Sequence, residues 1–387
     1  MSRIDELIKR LCPNGVALIP MKDVSEIKRG DRITKKDITS DGNYIVMSGG
    51  VNPMGRYSNK NRNANTITIS SYGAAGYVNY IEEDFWANDV CLSVFPNEEV
   101  LNKKYLYYVL KSKQQYIFDN TTKAIPDHIP TRFLEELPIP IPPLEVQSEI
   151  VRILDNFTEL TAELTAELAF RKKQYEYYKE VVFSKYCSDS TRFVPLDSIA
   201  DVRDGTHESP KPSQEGKYLI TSKNIKNGTI TYDGAYLISE DDYNAINNRS
   251  KVKITDLLFT MIGTVGEVGI VLDEPDFAIK NVGLIKTGNE TKSRFLKHYL
   301  TSAHAKKYIE ENRSKGSQVF LALGKLRKMP IPEISECDQN EIVEILDRFD
   351  SLVTDIDNGL PAEIDVRNKQ YEFYRDRLLT FDELKVA

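Results

Sequence analysis

The 387-residue chain has few of the side chains that carry chemistry. Its four histidines, His128, His207, His298 and His304, are scattered. The last two fall on different faces of a predicted helix, so a shared metal is not expected. Its four cysteines, Cys12, Cys91, Cys187 and Cys337, are far apart. That spacing fits neither a zinc site nor a disulfide framework, and it points to a reducing cytoplasm. There is no Gly-x-x-x-x-Gly-Lys-Ser/Thr loop for a nucleotide. Gly263-Thr264-Val265-Gly266 is glycine-rich, but no Lys-Ser/Thr follows, and it reads as a β-turn. No Ser-His-Asp arrangement stands out. No apolar run approaches the roughly 18 residues of a membrane span. The charged, amphipathic Met1–Leu11 does not read as a secretory signal.

What the chain does have is a repeat. Gln147, Glu149-Ile150-Val151, Ile153-Leu154-Asp155, Phe157 and Leu160 return as Gln339, Glu341-Ile342-Val343, Ile345-Leu346-Asp347, Phe349 and Leu352, at an offset of 192. Lys173-Gln174-Tyr175-Glu176 with Tyr178 returns as Lys369-Gln370-Tyr371-Glu372 with Tyr374, at an offset of 196. Upstream, Pro138-Ile139-Pro140 matches Pro330-Ile331-Pro332, and Gly73-Ala74-Ala75-Gly76 matches the Gly263 turn. A period near half the chain is too long for a solenoid unit. It describes two tandem modules, each a globular part followed by a long helix. The globular parts diverge most over residues 25–70 and 200–255.

Short β-branched or aromatic runs bounded by turn residues predict strands at Tyr44–Ser48, Thr66–Ser71, Tyr77–Ile81 and Val90–Phe95. The second module gives Tyr218–Thr221, Gly228–Tyr232, Asp256–Met261, Val268–Leu272 and Val282–Lys286. One helix is predicted in each, over Lys103–Phe118 and Ser293–Asn312. Each globular part is therefore α+β. Segment boundaries are expected at 1–143, 144–186, 187–332 and 333–387.

In the first helical segment Ile150, Ile153, Phe157, Leu160 and Leu164 recur at the spacing of a packed helix face. Thr161-Ala162-Glu163-Leu164 is then written again as Thr165-Ala166-Glu167-Leu168. Each copy adds about 6 Å of helix and turns the apolar stripe by only about 40°. The second segment is interrupted at Asn358-Gly359-Leu360-Pro361, where a kink or break is expected. Two long helices, each following its own domain, are most economically paired antiparallel as a spacer.

The net charge of −7 is unevenly spread. Residues 20–142 are neutral, residues 191–332 carry +4, and residues 333–387 carry −9. Within residues 20–62 nine Lys/Arg stand against five Asp/Glu. Basic clefts on an acidic scaffold fit this pattern, because local fields steer anions more than net charge does.

The doubled pattern, a variable domain followed by Pro-Ile-Pro, Gln-x-Glu-Ile-Val-x-Ile-Leu-Asp and Lys-Gln-Tyr-Glu-x-Tyr, resembles the specificity subunit of type I restriction–modification systems. The resemblance covers nearly the whole chain. The Thr-Ala-Glu-Leu tandem is similar to the central spacer repeat of the type IC subgroup. The resemblance implies two target-recognition domains, each reading one half of a split, asymmetric site in double-stranded DNA, and an antiparallel coiled-coil spacer that fixes the gap. It implies docking of two modification (methyltransferase) subunits, with Gln174, Tyr175, Tyr178, Gln370, Tyr371 and Tyr374 as candidate partner-binding residues, and of restriction/translocase subunits. S-adenosylmethionine, ATP and Mg are then expected on the partners, with no catalytic residue, cofactor or metal on this chain. Two other readings stay open. One is an orphan or decoy DNA-binding protein of the same fold. The other is a fused enzyme, against which the absence of a methyl-donor glycine loop counts; Asn52-Pro53-Met54 also lacks the second proline and the aromatic of an amino-methyltransferase active-site loop.

DNA candidates follow from residue chemistry. Base edges in the major groove call for Arg, Lys, Asn or Gln, and phosphates call for Lys, Arg and hydroxyls. Lys28, Arg29, Arg32, Lys35 and Lys36 form the densest basic cluster of the first domain. Ser222, Lys223, Asn224 and Lys226 are its counterpart in the second. Tyr72 and Thr264 flank the matched glycine turns. Lys123, Lys315 and Gln318 precede the Pro-Ile-Pro strands.

Overall fold

The computed structural model describes residues 3–122, 125–188, 190–316, 318–354 and 359–384. It divides into two compact units, residues 1–162 with 366–387, and residues 163–365. The divisions fall inside helical segments. Each unit therefore holds one globular part together with a portion of both long helical segments.

In unit 1 a four-stranded antiparallel sheet runs in the order Ser25–Arg29, Cys91–Pro96, Thr66–Ser70, Val78–Ile81. Thr66–Ser70 (Thr-Ile-Thr-Ile-Ser) is buried along its whole length, as a central strand covered on both faces requires. A second sheet is ordered Arg56–Tyr57, Tyr44–Met47, Phe85–Ala87, and its last pair is parallel. Unit 2 repeats both sheets. The first is Asp201–Asp204, Val282–Lys286, Leu257–Thr260, Val268–Ile270; the second is Tyr236–Ile238, Lys217–Ile220, Phe277–Ile279, again with a parallel last pair.

The Pro-Ile-Pro motif forms half of a two-stranded ribbon in each unit. Ile139 opposes Ile19, and Ile331 opposes Val194. Proline cannot donate to a ladder, so a short ribbon of this kind suits it, while Ile139 and Ile331 are buried. A tyrosine hydroxyl then seals each ribbon to a helix. Tyr105 donates to the Pro140 carbonyl at 3.1 Å and Tyr299 to the Pro330 carbonyl at 2.7 Å.

Several elements differ from the sequence expectation. The helix expected over Lys103–Phe118 is two, Lys103–Ser112 and Gln114–Asp119, and that over Ser293–Asn312 is Glu290–Leu300 and Ala303–Asn312. The second break has a visible cause: the Ser302 hydroxyl caps the Ala305 amide and starts a new helix. The expected strand at Gly228–Tyr232 shrinks to Thr229–Ile230, paired with Ile225–Lys226. The two residues between them, Asn227 and Gly228, have φ of +50° and +81°, which fits a two-residue hairpin turn.

The first helical segment is one helix, Leu144–Tyr186. The second is two, Glu336–Thr354 and Leu360–Leu379. Pro361 sits in the first turn of the latter, where a missing N–H is tolerated; Asn358 of the expected break lies outside the described residues. In unit 2 the central helix and Glu336–Thr354 run antiparallel. Tyr186 donates to Asp338 at 2.9 Å, and Tyr178 stacks on Phe349 at 5.2 Å. In unit 1 Phe157 stacks on Tyr374 at 5.3 Å.

The helices belong to the cores. Ile150 and Leu154 share one apolar cluster with Tyr105, Leu134 and Ile139. Phe183, Ile342 and Leu346 share another with Phe295, Tyr299 and Ile331. Residues 382–384 also pack into unit 1: Val16 donates to the Asp382 carbonyl at 2.8 Å and accepts from the Leu384 amide at 3.1 Å. Among the described residues no helix is long and apolar enough to cross a membrane.

Candidate nucleic-acid interface

Three loops meet in unit 1, and Asn88 joins two of them. Its side chain accepts from the Ile33 amide at 3.0 Å and donates toward the Ile33 carbonyl and Ser48 hydroxyl at 3.3 and 3.4 Å. The Gly49 carbonyl accepts from the Ala74 amide at 2.7 Å, which brings in the third. The basic loop after Ser25–Arg29, the loop at 48–50 and the Tyr72–Ala74 turn thus lie side by side. Trp86 Nε1 donates to the Asp31 carbonyl at 2.9 Å, and Arg62 Nη2 to the Arg29 carbonyl at 2.7 Å. A Cβ at Gly30 would lie 2.1 Å from the Ala87 carbonyl oxygen, so only glycine lets the loop approach that strand.

Unit 2 builds the same arrangement from different residues. A Cβ at Gly205 would lie 2.2 Å from the Ile279 carbonyl oxygen. Ser222 donates to the Asn281 carbonyl at 3.3 Å, and the Asn281 side chain meets His207 Nδ1 at 2.8 Å. His207 Nε2 is 3.0 Å from Asp204, which is also paired with Arg249. The Gly263 amide donates to the Val319 carbonyl at 3.0 Å, so the Thr264 turn lies against the loop of Lys315 and Gln318. The Leu321 amide also donates to the Met261 carbonyl at 2.8 Å, and the corresponding contact in unit 1 is Ile129 N to Ser71 O at 3.0 Å. Candidates chosen from separate stretches of sequence are therefore neighbours, in both units.

Individual positions divide. Arg29, Lys35, Lys36, Lys223, Lys226, Thr264, Lys315 and Gln318 are exposed, and Ser222 is half-buried. Lys28 is exposed but paired with Glu26 at 2.8 Å, and Arg32 stands 3.8 Å from Asp89. Tyr72 is half-buried and stacks on His128 at 5.4 Å. Lys123 lies outside the described residues. Asn224 is corrected by the structure. It is 2% exposed. Its Oδ1 accepts from the Thr221 amide and hydroxyl at 3.0 Å each, and its Nδ2 donates to the Asp233 carbonyl at 3.1 Å. It holds its own loop and offers no edge to a base. His207 and Arg249, both on Asp204, join this cluster without a sequence signal, because isolated residues far apart in the chain carry no local pattern. Among the described residues no three His, Cys, Asp or Glu side chains are placed to share a metal.

The helix candidates also need correction. Tyr175 is 8% exposed, its hydroxyl is 2.9 Å from His298 Nδ1, and burial pushes that hydroxyl well above its usual range. Tyr371 is half-buried in the core of unit 1, and burial pushes its hydroxyl up to about 12. Both rings pack toward the core of their unit. Two residues further along a helix is about 200° around it, so the outward ring is the unspecified position of Lys-Gln-Tyr-Glu-x-Tyr. Tyr177 is 65% exposed and Phe373 is 62% exposed. Tyr177 stands edge-on to Tyr178 at 5.6 Å and 71°, and Phe373 edge-on to Tyr374 at 5.5 Å and 77°. Tyr178 and Tyr374 are themselves 41% and 39% exposed and stack on Phe349 and Phe157. Gln174 and Gln370 each accept from an arginine three residues back, Arg171 at 2.8 Å and Arg367 at 3.1 Å. The signal for the outer rings was present: an aromatic at the x position of both copies.

Two copies of one loop-bearing α+β domain, each continuing into long helices, define a duplicated recognition module. The family described as type I restriction modification DNA specificity domain matches residues 13–169 and again residues 191–366, and the chain belongs to it. It is similar to the EcoR124I/EcoR124II specificity subunit of Escherichia coli, 29% identical with 98% of each chain covered. It is 31% identical to a putative type I specificity subunit of Mycoplasma pneumoniae, covering 85% of this chain and 97% of that one. The fold is that of the type I restriction–modification S subunit from M. genitalium, with a TM-score of 0.62 at 19% identity over 94% of this chain and 96% of that one.

Proposed function

We propose that this chain is the sequence-specific DNA recognition subunit of a type I restriction–modification complex, and that it reads a two-part, asymmetric site with one globular part per half-site. The observation that carries the reading is the loop cluster built twice on one scaffold. The strands and the positions of close approach repeat, while the exposed side chains differ. A protein that reads two unlike sequences through equivalent surfaces needs that combination. Exposed lysines and arginines on the loops supply phosphate contacts. On this reading the chain catalyses nothing itself and acts in the cytoplasm. Two modification subunits bring S-adenosylmethionine, restriction/translocase subunits bring ATP and Mg, and the long helices pair as an antiparallel coiled coil of the type IC kind that sets the gap. The matched rings Tyr177 and Phe373, with Tyr178 and Tyr374 beside them, are the anchors for the two modification subunits, since one partner surface then fits both places. The test is expression with the cognate modification subunit in a host lacking other systems, followed by mapping of methylated adenines. One motif made of two defined halves and a fixed gap is the expected result. Methylation without such a motif, or with a continuous one, overturns the reading.

A further inference from the structure

Tyr72 and His128 of unit 1 occupy the places of Ile262 and Phe320 in unit 2. Each pair forms a single antiparallel bridge between the glycine turn and the loop before the Pro-Ile-Pro strand. The surfaces they present are opposite in chemistry. The Tyr72 and His128 rings lie 22° from parallel, and His128 Nδ1 is held 2.6 Å from the Thr122 hydroxyl. Among the described residues neither His128 Nε2 nor the Tyr72 hydroxyl has a partner, so this edge can still hydrogen-bond. Ile262 and Phe320 carry no polar side-chain atom. Phe320 is 45% exposed. With Met261, Leu321, Asp204, His207 and Asn281 they line an open slot of about 260 Å³, in which His207 is held between Asn281 at 2.8 Å and Asp204 at 3.0 Å. Lys223 and Lys315, both exposed, stand on the adjoining loops, where they favour an anionic backbone.

We infer that the Ile262–Phe320 edge reads the 5-methyl group of a thymine in the major groove, whereas the Tyr72–His128 edge of the other domain reads a base by hydrogen bonding. Only thymine offers an apolar group in that groove, and apolar side chains are matched to it. A purine edge or a cytosine amino group set against Phe320 would lose hydrogen bonds to water with little in exchange, because the polar groups of the slot, Asp204, His207 and Asn281, bond one another. The inference rests on the DNA-reading role proposed above and names its chemistry at one position.

The test uses the full chain with its modification subunit and a duplex carrying the mapped site. Each thymine in the half-site read by unit 2 is replaced in turn by uracil. One replacement is expected to weaken binding about fourfold, the worth of one buried methyl-sized group. Ile262→Ala with Phe320→Ala should bind the thymine and uracil duplexes alike. Phe320→Leu, which keeps an apolar contact, should retain the difference, and unchanged recognition of the other half-site shows that each variant is folded. A half-site without thymine on either strand, no response to uracil, or a response that survives the double substitution overturns the assignment. If instead the unsubstituted duplex is bound no better than unrelated DNA, the recognition role itself fails, and the base assignment fails with it.

Discussion

His298 is fully buried, and its Nε2 lies 2.6 Å from a carboxylate oxygen of Asp347. Arg294 reaches the other oxygen at 2.9 Å. In unit 1 the matching carboxylate, Asp155, takes the Tyr108 hydroxyl at 2.5 Å and the Lys104 ammonium at 2.9 Å. The aspartate of Ile-Leu-Asp is thus where each helical segment is tied to its globular part, by different partners in the two units.

Asp347→Ala should destabilise unit 2 by about 2–3 kcal/mol, less than a fully buried pair, because the carboxylate is partly exposed. Arg348→Ala, which removes an exposed i,i+4 pair with Glu344, should cost under about 0.5 kcal/mol. Urea unfolding of the two variants checks the contrast, and equal losses would dismiss the tie.

The same group has a pH signature. Burial works to raise the Asp347 carboxyl, but bonds from His298 and Arg294 outweigh it and leave the group below its usual value. A depressed carboxylate stabilises the fold fully above its unfolded value, about 3.9. That contribution is lost as pH falls through the lower folded value. Asp347→Asn should therefore flatten the stability profile below about pH 4. A parallel acid profile for wild type and variant would count against it.

Neutralising Lys28, Arg29 and Arg32 together should weaken binding to all DNA and reduce the salt slope by about one unit per lost phosphate contact. Gln318→Ala should instead relax a single base position, at about 1–3 kcal/mol. Asn224→Ala should lower stability through its broken loop bonds. An unchanged slope for the triple variant removes that cluster from the interface.

Tyr177→Ala and Phe373→Ala should each release one modification subunit and leave the melting temperature nearly unchanged, because both rings are largely in solvent. Sedimentation of the reconstituted complex reads the stoichiometry. Full assembly in the double variant would assign docking elsewhere.

One more Thr-Ala-Glu-Leu after Leu168 adds about 6 Å to the central helix with the apolar stripe nearly in phase. The gap between half-sites should widen by one or two base pairs, at about 3.4 Å per step, with both halves unchanged. Two inserted residues would rotate the stripe by about 200° and abolish assembly. An unaltered gap after the four-residue insertion would mean that these helices do not set it.

Most of this architecture was legible because duplication writes each element twice. The helical segment expected over 144–186 and the strand expected over Val282–Lys286 have the bounds of the observed elements. Glu240–Ser250 was missed because its sequence, Glu-Asp-Asp-Tyr-Asn-Ala-Ile-Asn-Asn-Arg-Ser, carries almost no apolar period. Of the strand Ser25–Arg29 the sequence shows only the basic pair Lys28-Arg29, since an edge strand need bury one side alone. Asn224 was misread for a different reason. A buried asparagine holding a turn and an exposed one facing a base have the same letter, and only the hydrogen-bond partners separate them.

The bonds from Val16 to the 382–384 segment join early and late residues inside unit 1. Unit 2 is one continuous stretch, residues 163–365, whereas unit 1 needs residues from both sides of it. During synthesis the second unit is therefore complete before the first can close, although the first was begun earlier.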